Sequence, residues 1–225
     1  MAVLLVFGGY AVAGEGKDSH WHKQEGSAMG TLIRVEFWLE DQEKADRLIR
    51  AVMEEMHRID RLMSPYIESS ELARINAKAF EAPVVVSQEL FDLIALALKY
   101  GEWSEGAFDI TFASVGFHYN YREKIAPDVK TLEKARALID YRAVRLLEDS
   151  RAVRFLRPGV KIDLGGIAKG HAVDNAIKYL YSQGIRHGIV SAGGDSRIIG
   201  DRHGRPWVLG VQNPRGENHL ITLPL

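Results

Sequence analysis

Hydrophobic and polar residues alternate over residues 31–39, with Ile33, Val35, Phe37 and Leu39 on one side and Arg34 and Glu36 on the other. A period of two predicts a strand with one buried face. The period then lengthens. Over residues 41–63 the apolar positions are Ala45, Leu48, Ile49, Val52, Met53, Met56, Ile59 and Leu62. Steps of three and four predict a long amphipathic helix, with Asp41 as its N-cap and the methionines as core filler. Ser64-Pro65-Tyr66 ends it, and Ser69-Ser70-Glu71 opens a short helix through Asn76. A brief strand at residues 83–86 precedes a helix over residues 88–103. Ser87 caps that helix, and Leu90, Phe91, Ile94, Ala95 and Leu98 line its inner face. A further helix covers about residues 131–139.

Strands at residues 143–147 and 152–156 flank Glu148-Asp149-Ser150-Arg151 as a hairpin. A third strand, residues 160–164, runs into Gly165-Gly166 and then a helix to Ser182, which Gly184 terminates. Strands follow at residues 185–191, 197–200 and 207–211, with a turn at 201–205. The last strand is residues 219–225, with Ile221, Leu223 and Leu225 on one face. The pattern predicts an α+β fold, a mostly antiparallel sheet with helices packed around it. The chain stops inside that last strand with no turn or polar tail, so the sequence is expected to be incomplete at its C-terminus.

The first residues are read separately. Residues 1–10 are almost wholly apolar, and Ala11-Val12-Ala13 has the small-x-small pattern of a signal-peptidase site. Residues 1–13 are expected to be the remnant of a secretory signal, too short to span a bilayer. No Lys or Arg precedes the run, and a buried first strand is the alternative. Export, to the periplasm, is the expectation. Residues 14–225 then form the folded part, of a length for one domain or two small ones.

Composition narrows the chemistry. Of the 225 residues 46% are hydrophobic and 26% charged, and 29 basic side chains face 30 acidic ones. This balance gives no electrostatic footprint for nucleic acid and no polybasic stretch for a membrane surface. There is no cysteine. Disulfides, thiolate catalysis, cysteine zinc sites and a lipid anchor on an N-terminal cysteine are excluded. The redox compartment stays open. The eight histidines show no metal-ligand spacing, and His20 and His22 are expected in a disordered start.

The strongest local signal is Asp163-Leu-Gly-Gly-Ile-Ala-Lys169-Gly170, set between strand and helix. Paired glycines let a ligand approach the backbone, and the following helix presents free N–H groups to phosphate. Lys169 adds a mobile positive charge, and Asp163 an acceptor for a base, a ribose or a cation. A glycine-mediated turn with an exposed lysine remains the alternative. Three further elements each have a bland alternative too. Ser191-Ala-Gly193-Gly194-Asp195 is a second glycine element or a tight hairpin. Asp109 and Thr111, within Glu105-Gly-Ala107-Phe108-Asp109-Ile-Thr111, point one way from an extended segment or form the polar face of a short strand. Ser27-Ala-Met29-Gly30-Thr31 precedes the first strand.

Taken in order, Ala28-Met29-Gly30-Thr31, Met63-Ser64-Pro-Tyr66 with Ser69-Ser-Glu-Leu-Ala-Arg-Ile-Asn76, Gly106-Ala-Phe-Asp-Ile-Thr111, Asp163 to Gly170 with Ala172-Val-Asp174, and Ala192-Gly-Gly-Asp195 form a specific set. With these elements the chain resembles the ApbE family, the FAD:protein FMN transferases. The resemblance implies an ApbE-like, T-fold-related architecture. It implies FAD as substrate with Mg²⁺, and transfer of FMN to a Thr or Ser hydroxyl of an acceptor flavoprotein with release of AMP. Some members instead hydrolyse FAD to FMN and AMP.

By matching position, the resemblance makes Met29, Tyr66, Ala107, Phe108, Asp109, Asp163 and Lys169 FAD contacts, with Asp163 and Lys169 catalytic. It makes Gly166 a metal contact through its backbone carbonyl. Breaking a diphosphate needs charge neutralised around the attacked phosphorus, which Mg²⁺ and a lysine supply. Family members continue with a His-x-Asp-Pro-x-Thr-Gly-like segment and a later Asp/Thr segment that supply metal ligands, and neither is present here. The alternatives to transfer are an FAD-binding protein, an FAD pyrophosphatase or an inactive truncated fragment.

Overall fold

A computed structural model of the chain describes residues 20–119, 123, 126–213 and 219–224. The leader expected over residues 1–13 lies outside them. In chain order the first half holds β1 (Trp21–Ala28), β2 (Thr31–Trp38), α1 (Gln42–Met63), α2 (Glu71–Lys78), β3 (Val84–Val85), α3 (Gln88–Trp103) and α4 (Ala113–Gly116). The second half holds α5 (Val129–Arg136), β4 (Val144–Leu147), β5 (Ala152–Phe155), α6 (Ala168–Ser182), β6 (Gly188–Ala192), β7 (Asp195–Ile199), β8 (Val208–Gln212) and β9 (His219–Pro224). They pack as two compact units, residues 1–58 with 169–225, and residues 59–168.

The first unit is built on a four-stranded antiparallel sheet in the order β1-β2-β6-β7, and β8 pairs with β9 as a separate antiparallel ribbon. The period-two residues Ile33, Val35 and Phe37 are wholly buried, as are Ala45, Val52 and Met56 of α1. Asp41 caps α1 by accepting the Lys44 N–H at 2.9 Å. Asn175 of α6 donates to Glu55 of α1 at 2.9 Å, which ties the two helices together. α6 ends as its sequence predicts: Gly184 has φ +90°, and the Ile185 N–H returns to the Leu180 carbonyl at 3.1 Å. In the turn after β7 the Gly204 N–H, and after it His187, hold the Asp201 carboxyl below its usual range. That contribution is present above the ordinary carboxylate pKa and fades as pH falls through the lowered one.

The second unit contains a three-stranded antiparallel sheet in the order β3-β5-β4. Its core includes Leu72 and Ile75 of α2, Leu90 and Ile94 of α3, and Phe155 of β5, all fully buried or nearly so. Ser70 and Ser87 cap α2 and α3, accepting from Ala73 N and Leu90 N. All strand pairing in both units is antiparallel, as expected from the sequence, but it is divided among three sheets.

Five expectations are corrected. β1 is a strand where none was expected, because only His22 and Ala28 among its residues are buried and its polarity hides the alternation. It lies at the sheet edge, where one row of backbone groups is left to solvent and polar side chains are the norm. His22 therefore sits in a strand, 8% exposed, with its ring Nε2 2.8 Å from the Leu39 carbonyl, and not in a disordered start. Met29-Gly30 does not lead into the first strand; it is the turn joining β1 to β2. Residues 160–164 form no strand, and only Asp109 of Asp109 to Thr111 is extended, as the cap of a 3₁₀ turn at Ile110–Phe112.

Close approach of β2 and β6 gives a direct test of the first unit. A Cβ placed on Gly188 would fall 2.8 Å from the Phe37 Cβ and 3.0 Å from the Glu36 carbonyl oxygen. Neither atom is the free end of a flexible side chain. Gly188→Ala is expected to destabilise the protein by about 1–3 kcal/mol, the usual range for overpacking. A shift of the urea midpoint measures it.

Candidate functional site

Residues 59–168 enclose a cavity of about 510 Å³, within the range of small-molecule sites. Tyr66, Ala107, Phe108, Asp109, Asp163 and Gly166 all line it. Six positions expected at the site are thus brought together in one unit. Met29 and Lys169 belong to the other unit.

One wall is residues 160–166. Val160, Ile162 and Leu164 are buried while Lys161 and Asp163 are half-buried, so the segment has the period of a strand. Side chains replace the ladder. Asn76 of α2 accepts from the Ile162 N–H at 2.8 Å and donates to the Ile162 carbonyl at 2.8 Å. The Ser114 hydroxyl of α4 accepts from the Lys161 N–H at 2.9 Å and donates to the Lys161 carbonyl at 3.2 Å. The Asp163 N–H donates to the Ile110 carbonyl at 3.0 Å, and the Lys161 ammonium donates to the Asn76 carbonyl. A buried extended segment must pair its backbone groups, and here one amide, one hydroxyl and one stray carbonyl do so.

Beyond the clamp the chain turns sharply. Asp163 Oδ1 accepts from the Gly165 N–H at 2.5 Å, and a Cβ on Gly165 would stand 2.9 Å from that same oxygen. A Cβ on Gly166 would stand 3.1 Å from the Phe108 ring. A side chain at either glycine would press on a neighbour, the Asp163 carboxylate at one and the Phe108 ring at the other.

A second wall is formed from residues 106–117. Asp109 Oδ1 accepts from the Thr111 N–H at 2.8 Å and the Thr111 hydroxyl at 2.6 Å, and its Oδ2 accepts from the Tyr141 N–H at 2.9 Å. Thr111, fully buried, in turn accepts from the Asp140 N–H at 2.8 Å. Asp109 thereby commits three of roughly four carboxylate acceptor positions to the protein. Its first task is to hold the loop. Tyr66, Phe112 and Phe117 line the cavity with 76%, 54% and 38% of their surface exposed. The Tyr66 and Phe117 rings meet edge to face at 5.9 Å. An apolar slot with carboxylates at its wall suits a flat ring that carries polar substituents.

In the first unit the turn between β1 and β2 has two residues, Met29 at φ +52° and Gly30 at φ +69°. Both are left-handed, as this hairpin type demands. For a side chain as large as Met that conformation is costly, and such outliers concentrate at functional sites. Gly193, in the turn between β6 and β7, donates to the Leu32 carbonyl at 2.9 Å, and its Cβ would lie 2.7 Å from the Thr31 hydroxyl. The second glycine element is therefore a hairpin turn packed against the first hairpin. Lys169 Nζ stands 3.9 Å from Asp195 Oδ2, and Arg197 meets Asp174 at 2.5 Å. The lysine thus sits beside the second glycine element of its own unit.

The positions expected to contribute to a metal site, the Gly166 carbonyl and Asp163, would supply few of the oxygens that Mg²⁺ takes. No group of three His, Asp or Glu side chains able to hold a metal occurs among the described residues. Asp109 is largely spent on its own loop. Mg²⁺ demands a near-octahedral shell of oxygens, and the described residues do not fit an ion held by this protein alone.

Sequence reasoning placed Asp163 to Gly166 at the site but missed what holds it. Asn76 ends a motif that assigns it no role, and Ser114 falls in no motif. The available signal was a serine inside the apolar run Phe112-Ala-Ser114-Val115, because a polar residue in such a run needs a partner.

An α+β chain of antiparallel sheets with a ligand-sized cavity between a clamped glycine loop and an aromatic wall defines the class. The sequence profile of the ApbE family matches residues 29–225, and the chain belongs to that family. It is 29% identical over 205 residues to an FAD:protein FMN transferase of Klebsiella pneumoniae (strain 342), covering 88% of this chain and 58% of that protein. It is 27% identical over 215 residues to one of Treponema pallidum (strain Nichols), covering 87% and 59%. The crystal structure of the ApbE protein from Thermotoga maritima matches with TM-score 0.84 and 34% identity, over 91% of this chain and 67% of that one. That of the flavin transferase ApbE from Vibrio cholerae matches with TM-score 0.78 and 26% identity, over the same shares. The chain thus spans a little under three fifths of the length of these curated relatives.

With so few oxygens grouped, the purified chain without flavin should bind Mg²⁺ no more tightly than about millimolar, the weak end of hard-cation sites. Calorimetric titration with MgCl₂ checks this, and a micromolar site would contradict it.

Proposed function

We propose that this chain binds FAD and transfers FMN from it to a Thr or Ser hydroxyl of an acceptor flavoprotein, releasing AMP. The observation that carries the reading is the cavity in residues 59–168, where Tyr66, Phe108, Asp109 and Asp163 meet in a chain of the ApbE family. In the reaction the acceptor hydroxyl oxygen bonds to the phosphorus on the flavin side of the diphosphate. The P–O bond to the adenylate side breaks, AMP leaves with the bridging oxygen, and the hydroxyl proton goes to solvent or a base. Tyr66 and Phe108 would enclose the flat ring, and Met29 would contact the flavin by its position in the family motif. Ala107 would contact it through its backbone. Asp163 would orient the ligand by accepting its hydrogen bonds, and the Lys169 ammonium would neutralise phosphate charge as the bond breaks.

Mg²⁺ enters this reading as an ion carried by the diphosphate, assigned to no set of residues in the chain. Export to the periplasm is also part of it and rests on the composition of residues 1–13.

Incubation of the purified chain with FAD, Mg²⁺ and a candidate acceptor tests the proposal. Covalent FMN on the acceptor with equimolar AMP is the expected result. AMP and free FMN without labelled acceptor would identify an FAD pyrophosphatase, and bound flavin without AMP a binding protein. Neither flavin nor AMP would overturn the reading. Asp163→Asn and Lys169→Ala should each weaken FAD binding or turnover at least tenfold. Unchanged titration curves for both, followed by flavin fluorescence, would remove the site.

A further inference from the structure

Asn76 and Ser114 line no part of the cavity, yet between them they bind four backbone groups of Lys161 and Ile162 at 2.8–3.2 Å. Asp163, the next residue, is the half-buried carboxylate of the cavity wall. Its own N–H is fixed by Ile110, which also lines the cavity. Each side chain acts as donor and acceptor to one residue, as a neighbouring strand would. Ser114 is 3% exposed, and its hydroxyl bonds both backbone groups of Lys161. An aliphatic residue at either position would leave a buried N–H and a buried carbonyl unpaired, and the segment would have to move to recover water.

We propose that Asn76 and Ser114 are positioning residues for flavin binding: they hold residues 161–163 extended so that the Asp163 carboxylate and the Gly165-Gly166 turn keep their place at the cavity. The inference rests on the reading of that cavity as the FAD site. It predicts a division of labour within one wall. Asp163 touches ligand, whereas Asn76 and Ser114 act only through the backbone ahead of it. It also explains why the short helix ending in Lys78 carries an asparagine on its inner side, where the core otherwise takes Leu72 and Ile75.

The test compares wild type, Asn76→Ala, Ser114→Ala and Ser87→Ala in the full chain. Ser87 caps α3 and lies outside the clamp and the cavity lining, so its variant controls for general loss of stability. Two readouts are taken with each variant folded by circular dichroism: the FAD dissociation constant, and amide exchange at Lys161, Ile162 and Asp163 against exchange at Val153 of β5. For Asn76→Ala and Ser114→Ala the dissociation constant should rise tenfold or more, with exchange accelerated at residues 161–163 and not at Val153. Ser87→Ala should leave affinity within twofold. Wild-type affinity in the Asn76 and Ser114 variants would overturn the inference while leaving the FAD site standing. Equal weakening by Ser87→Ala would overturn it as well, since the effect would then be one of stability. Should wild type itself bind no FAD, the reading of the cavity falls, and the positioning role with it. If a variant does not fold, Ser114→Thr, which keeps the hydroxyl, decides: retained affinity supports the inference, and tenfold loss in a folded Ser114→Thr with intact exchange protection overturns it.

Discussion

Two hydrogen bonds between the Asn76 side chain and Ile162 hold the wall on which the rest of the site depends. Burying an isoleucine side chain stabilises by about 1.5–3 kcal/mol. Leaving its buried N–H and carbonyl unpaired would cost about 1–3 kcal/mol each. The penalties are large enough to cancel the gain. Ile162 can be wholly buried without a neighbouring strand only because an amide side chain supplies the missing donor and acceptor. Ser114 does the same for Lys161. Next to those two residues the Asp163 N–H bonds the Ile110 carbonyl, and its carboxylate accepts from the Gly165 N–H.

The same economy appears on the second wall. Asp109, Thr111 and the backbone of Asp140 and Tyr141 form one closed set of hydrogen bonds. In both walls a polar side chain holds irregular backbone, and the apolar surface left over, from Phe108, Phe112 and Phe117, faces the cavity. Irregular backbone is what lets a carboxylate and an aromatic ring approach one ligand, because a regular ladder would direct alternate residues to opposite faces. The hairpin turn at Met29 shows a related trade, a bulky residue kept in a left-handed conformation that glycine would adopt more readily.

Much of this was legible in the sequence, for physical reasons that differ by element. α1 and α3 were readable because their apolar periods and caps agree, and Asp41 and Ser87 bond as those caps should. The β4–β5 hairpin was readable from its turn residues. β1 was not, because an edge strand with two buried residues has almost no alternation to detect. Residues 160–164 misled in the opposite direction: their alternation is real and reports burial, but periodicity cannot say whether a strand or a side chain supplies the hydrogen bonds. Tyr66, Ala107, Phe108, Asp109, Asp163 and Gly166 were placed by resemblance, and the fold brings them to one cavity. The roles of Asn76 and Ser114 were invisible, since a long-range bond from a side chain to a backbone 86 or 47 residues away leaves no local pattern.

The central claim is that the clamped wall and the aromatic wall together form the flavin site. A crystal structure of the chain soaked or grown with FAD tests it most directly. The account predicts the ring system in the cavity of residues 59–168, against Tyr66 and Phe108, with Asp163 within hydrogen-bond distance of the ligand and the Asn76–Ile162 pair intact. Flavin bound elsewhere, with this cavity empty at saturating FAD, would contradict it.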